Sequence, residues 1–145
     1  MTIRSALPED HAVLLDIWLH SVRASHRFLT EKDIQALLPI VRDMALPALE
    51  LYVLCDEHAQ PVGFSGLDGA KLEALFLHPS QFRQGGGTQL LQHALAIKGP
   101  LTVDVNEQNP DAVQFYLARG FTITGRSPTD SDGRPFPLLH LRSPG

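Results

Sequence analysis

The chain has a single cysteine, Cys55, among 145 residues, so no internal disulfide can brace it and a reducing, cytoplasmic location is expected. That cysteine ends the apolar run Leu51-Tyr-Val-Leu-Cys and reads as a core residue rather than a reactive thiol. No apolar stretch reaches membrane-spanning length. The opening Met1-Thr-Ile-Arg-Ser lacks the basic region and apolar core of a secretory signal, so neither a membrane partner nor secretion is expected. Positive charge is not in excess either: 12 Lys and Arg against 16 Asp and Glu give a net charge of -4, which leaves no electrostatic footprint for nucleic acid and suits a cationic partner. Seven histidines are present without an H-E-x-x-H pattern or a cysteine partner, so no metal is expected. Repeats, low-complexity tracts and Gly/Ser linkers are also lacking. What remains, 43% hydrophobic and 19% charged residues, is an ordinary globular composition with enough length for one domain over residues 1–145.

Residues 2–6 read as a short strand. Val13, Leu14, Ile17, Trp18 and Val22 then recur at helical spacing. Thr30 with Asp33 resembles a capping box, and Ile34, Leu37, Leu38 and Val41 form a second stripe that Pro39 should kink or split. Three strands are expected over 50–56, 61–67 and 71–77, joined by short turns that make them antiparallel neighbours. Residues 85–97 form a helix led by three glycines, and 101–105 alternate as a strand. Asn109-Pro110-Asp111 opens another helix that Gly120 ends. Residues 122–127 and 136–141 look like a closing hairpin around Asp132-Gly133. The order β-α-α-β-β-β-α-β-α-β-β predicts an α+β fold, a mixed and mostly antiparallel sheet flanked by helices, with one parallel crossover through the glycine-led helix.

Gly85-Gly86-Gly87-Thr88, between strand and helix, can turn backbone N–H groups and a helix N-terminus toward an anion. A P-loop lysine and a dinucleotide G-x-G-x-x-G are both missing, so the loop needs another explanation. The stretch Leu75-Phe-Leu-His-Pro-Ser-Gln-Phe-Arg-Gln-Gly-Gly-Gly-Thr resembles the acetyl-CoA signature Q/R-x-x-G-x-G/A of the GNAT superfamily. Further on, Asn109-Pro-Asp-Ala-Val-Gln-Phe-Tyr-Leu-Ala-Arg-Gly-Phe matches the family's second pattern, N-x-x-A-x-x-F-Y-x-x-x-G-F, at every fixed position. The ends, Ile17-Trp-Leu-His-Ser-Val-Arg-Ala-Ser-His-Arg-Phe-Leu and Gly125-Arg-Ser to Pro137-Leu-Leu, are similar to the bacterial YjaB subgroup. One departure stands out. Phe82 replaces the usual Gln or Arg, which removes a side-chain contact to the pyrophosphate that Arg83 or Gln81 could restore.

The resemblance implies the GNAT acyl-CoA N-acyltransferase fold and transfer of acetyl from acetyl-CoA to a primary amine, a protein lysine or a small molecule, by direct attack. It implies that a bulged strand directs the main chain of Leu75, Phe76 and Leu77 at the acetyl and pantetheine groups, with the Leu75 N–H as oxyanion donor. Phe82, Arg83, Gln84, Gly85, Gly86, Gly87 and Thr88 would hold the pyrophosphate. Asn109 would contact the cofactor besides capping its helix, and Tyr116 would both bind it and protonate the departing thiolate. A lysine costs roughly 4 kcal/mol to deprotonate at neutral pH, so a base, Glu73 or His26, or a water chain is needed. Glu73 sits where some members carry one, and His26, with Trp18 and Phe28, stands where the family binds its acceptor. The alternative reading is a catalytically silent acyl-CoA-binding module, and the assembly is expected to be a monomer or homodimer.

Overall fold

The first amphipathic stripe forms α1 (His11–Ser25), whose buried face of Leu14, Ile17, Trp18 and Val22 follows the helical period. Helix α2 (Glu31–Ile40) starts at the anticipated capping box: Thr30 Oγ1 accepts from Asp33 N at 3.1 Å, and Thr30 N donates to Asp33 Oδ2 at 2.9 Å. Pro39 does not split it. The helix runs on past the proline to Ile40, widens into a π turn over Val41–Ala45 and ends in the short α3 (Leu46–Ala48). In place of the expected kink or split, the turn widens in the residues that follow the ring.

The computed structural model describes all residues from Met1 to Gly145. Strands β1 (Thr2–Ser5), β2 (Glu50–Cys55), β3 (Pro61–Asp68) and β4 (Lys71–Leu77) pair antiparallel in that order; short turns dictate this for β2, β3 and β4, whereas β1 joins β2 across the intervening helices. Helix α4 (Gly86–Lys98) then crosses over to β5 (Thr102–Asn106), which lies parallel to β4. After α5 (Pro110–Leu117) the chain returns as β6 (Thr122–Ser127) and β7 (Leu138–Arg142), with β7 inserted between β5 and β6. Strand β7 starts two residues later than its alternation suggested, because Pro135 and Pro137 offer no ladder N–H. The result is one seven-stranded mixed sheet with helices on both faces, an α+β fold.

Helices α1 and α2 cover one face over Leu51, Val53, Cys55 and Phe64. On the other, Leu91 and Ala94 of α4 and Val113 and Tyr116 of α5 pack on Leu72, Val103, Val105 and Leu141. Leu14 is 0% exposed in the first of these layers. Leu14→Ala is expected to cost about 3 kcal/mol of stability, the transfer term plus an unfilled cavity, measured by urea unfolding at unchanged m.

Candidate active site

The site begins with a fault in the sheet. On β3, Gly66 pairs with Ala74 whereas Leu67 pairs with Leu72, so Glu73 of β4 is the extra residue of a bulge. On its other side β4 pairs with β5 only at Lys71↔Thr102 and Leu72↔Val103; beyond these the two strands part. His78 N donates to Val62 O at 2.8 Å. Bonded positions alternate along an antiparallel ladder, so Phe76 and Ala74 face β3 and the main-chain groups of Leu75 and Leu77 point into the gap that β5 leaves. The gap opens into a cleft of about 1250 Å³ that reaches from the end of α1 to α5.

One wall of the cleft is the glycine loop. Gly85 caps α4 with φ of 86°, a left-handed conformation that suits glycine, and the first i→i−4 bond runs from Gln89 N to Gly85 O. The preceding N–H groups of the first turn are left for an external acceptor. A Cβ on Gly86 would stand 3.0 Å from Leu54 Cδ2, and one on Gly87 3.3 Å from the Phe115 ring, so both glycines are also needed for close packing. Gly85, Gly87, Thr88, Phe82 and Arg83 border the cleft; Gly86 is buried behind it, and Gln84 turns away to donate to Ser80 O at 3.0 Å. Phe82 brings no polar group. A cation comes from Arg119 instead, whose Nε donates to Thr88 Oγ1 at 3.0 Å and whose Nη1 donates to Phe115 O at 2.7 Å. Its guanidinium lies 3.7 Å above the Phe115 ring. Sequence reasoning missed this residue because it occupies a variable position of the second motif, although its i, i+4 spacing from Phe115 was a usable signal.

Asn109 caps α5 through Oδ1, which accepts from Ala112 N at 3.3 Å, and its Nδ2 faces His26 Nε2 at 3.5 Å. Tyr116, two turns along α5, is 6% exposed and packs edge-on against Phe115 and Phe121. Burial pushes its phenol well above the ordinary range, no protein group hydrogen-bonds the hydroxyl, and the residue borders the cleft. It therefore carries its proton at neutral pH.

Across the cleft, His26 ends α1, with its backbone N–H on Val22 O at 2.8 Å. Burial lowers its pKa to about 4, so the imidazole is neutral at physiological pH, with Nδ1 at 2.8 Å from Ser25 Oγ. Phe28 stacks beside it at 5.5 Å and meets Phe136 at 5.9 Å. Both His26 and Phe28 line the cleft. Trp18 does not: it is 5% exposed, belongs to the α1 core and lines a separate apolar pocket of about 330 Å³ that shares Glu73, Ala74 and Phe76 with the cleft wall. Glu73 borders the cleft, with Oε1 3.1 Å from Lys71 Nζ.

The structure thus brings together a free main-chain edge, a donor-rich glycine turn, an arginine, a carboxylate and a protonated phenol around one gap. No trio of His, Cys, Asp or Glu is placed to hold a metal, and no helix is long and apolar enough to cross a membrane. A family model described as "Acetyltransferase (GNAT) domain" matches residues 47–123. The chain is 42% identical to the peptidyl-lysine N-acetyltransferase YjaB of Salmonella typhimurium over 99% of both chains. It is 43% identical to that of Escherichia coli, over 97% of this chain and 95% of the relative. The solution structure of apo YjaB from Escherichia coli superposes with a TM-score of 0.91 over 99% of this chain and 97% of that one. The chain belongs to the GNAT family, as an N-acetyltransferase that takes its acetyl group from acetyl-CoA.

Proposed function

We propose that this protein acetylates the ε-amine of lysine side chains in other proteins, by direct attack within a ternary complex. The main-chain edge of β4 carries the reading: Leu75 and Leu77, released from β5, present backbone groups to the cleft between a carboxylate and a buried phenol. The lysine acceptor is favoured over other amines because two relatives above 40% identity are named for that substrate.

Acetyl-CoA supplies the activated acetyl group as a thioester. The Leu75 N–H polarises the acetyl carbonyl and stabilises the charge that develops on its oxygen. Leu77 and Phe76 guide the pantetheine arm, while the first turn of α4 from Gly85 to Thr88, flanked by Phe82 and Arg83, receives the pyrophosphate with Arg119. Asn109 holds the cofactor side of the gap. His26 and Phe28 border the acceptor's entry, and Trp18 supports that wall from behind. Glu73 removes a proton from the amine, a C–N bond forms as the C–S bond breaks, and the Tyr116 hydroxyl protonates the sulfur that leaves.

The test is turnover of acetyl-CoA against lysine peptides, polyamines and aminoglycosides; modification confined to the small amines would overturn the lysine assignment. Glu73→Gln keeps an oxygen for Lys71 and loses only basicity. Its rate should fall most at low pH and recover in part as pH rises, because more of the amine then arrives neutral. A loss that is uniform across pH marks Glu73 as a structural residue.

A further inference from the structure

The polar contacts do not stop at Glu73. Lys71 Nζ, 3.1 Å from Glu73 Oε1, also lies 2.9 Å from Asp104 Oδ2. Asp104 stands directly opposite His140 in the β5–β7 register, and His140 Nδ1 meets Asp104 Oδ1 at 2.6 Å. His140 Nε2 in turn meets Ser127 Oγ at 2.7 Å. Strand alternation explains the alignment: Val103, Val105, Leu139 and Leu141 turn to the core under α4, which leaves Asp104 and His140 together on the opposite face. A continuous chain of side chains therefore runs from the cleft, which Glu73 and Asp104 both line, to the edge strand β6.

We propose that Asp104 and His140 are positioning residues for acceptor deprotonation, which act through Lys71 to set where the Glu73 carboxylate sits beside the amine. This rests on the reading of Glu73 as the base. The two carboxylates have different surroundings and so different tasks. Burial opposes the charge on Asp104, yet the donors from His140 and Lys71 outweigh it and hold this carboxyl below its ordinary range. Asp104 is thus a fixed charge that anchors the Lys71 ammonium, and a second donor of that ammonium reaches Glu73. An ionised Asp104 at 2.6 Å requires a proton on His140 Nδ1, and Nε2 on the far side of the ring meets the Ser127 hydroxyl. The Lys71 cation beside Glu73 also disfavours a second ammonium there, which promotes release of the acceptor's proton.

Asp104 from β5 and Ser127 from β6 face the His140 ring directly. Lys71 and Glu73 reach it through Asp104. Arg142 follows two residues along the same face of β7, whereas Arg126, opposite Leu139 in the β6–β7 register, alternates to the other face with its partner Glu107. A Cβ on Gly125 would stand 3.5 Å from His140 Cδ2, so the glycine leaves the ring its place.

The experiment is the pH profile of kcat/KM for the full chain, with one lysine peptide and saturating acetyl-CoA, in four variants. Asp104→Asn frees the Lys71 ammonium for Glu73 alone, and the acid limb should move to lower pH. In Lys71→Met the cation is gone; in His140→Phe the uncompensated Asp104 draws it away from Glu73. Both should move the limb to higher pH and lower kcat about tenfold, part of the ~10²–10⁴ that positioned proton transfer contributes. His140→Asn, which restores an N–H near the Nδ1 position, should return the limb toward the parent's. Unchanged acetyl-CoA affinity in the Lys71 and His140 variants, neither of which lines the cleft, reports an intact fold. Shifts in one common direction, or His140→Asn no better than His140→Phe, overturn the proposal while the acetyltransferase reading stands. Absence of turnover by the parent protein on every amine overturns both.

Discussion

Replacing Tyr116 by phenylalanine is expected to lower kcat by about 10²-fold while acetyl-CoA affinity and melting temperature stay nearly unchanged. The ring is packed between Phe115 and Phe121 and keeps those contacts in the variant. The hydroxyl has no partner within the protein, so its removal leaves no buried donor or acceptor unsatisfied and takes little from stability. Its loss is felt only when negative charge forms on the departing sulfur. Burial keeps the phenol protonated at neutral pH, and the same burial makes a bare thiolate costly beside it. The proton is therefore available where it is needed. Full turnover in the variant would reduce Tyr116 to a core aromatic. If neither protein turned over any amine yet both bound acetyl-CoA, the chain would be a silent binding module.

Features that depend on backbone geometry were the most legible in the sequence. The three glycines announce the turn that opens α4, Thr30 and Asp33 their capping box, and Asn109-Pro110 the start of α5, because each is a local requirement met by few residue types. Contacts set by strand register were not. Asp104 and His140 are 36 positions apart, and only the insertion of β7 beside β5 makes them neighbours. Trp18 shows the reverse error: resemblance placed it at the acceptor, whereas its place in the stripe with Leu14, Ile17 and Val22 already pointed to the core. The α4 wall illustrates both kinds. Its glycines were readable as a turn able to face an anion, but Arg119 reaches that turn from α5 only through a tertiary contact with Thr88.

That wall carries the second large effect: Gly87→Glu is expected to weaken acetyl-CoA binding by about 10³-fold in a folded protein. Glycine is a poor helix former, and an acidic side chain in the first turn of α4 favours the helix dipole, so the substitution does not melt the helix on its own account. Its Cβ, however, would stand 3.3 Å from the Phe115 ring, on which the Arg119 guanidinium rests. The new side chain must extend toward the cleft or displace that stack. In the cleft its carboxylate competes for the N–H groups and the arginine proposed to meet the pyrophosphate. Two like charges about 4 Å apart repel by about 4 kcal/mol at an effective dielectric of about 20, which corresponds to the predicted ~10³-fold. Gly87→Gln has nearly the same size without the charge and should lose far less. Calorimetric titration of both variants separates bulk from charge: equal losses would assign the effect to Phe115, and unchanged affinity in folded Gly87→Glu would remove the pyrophosphate from this turn altogether.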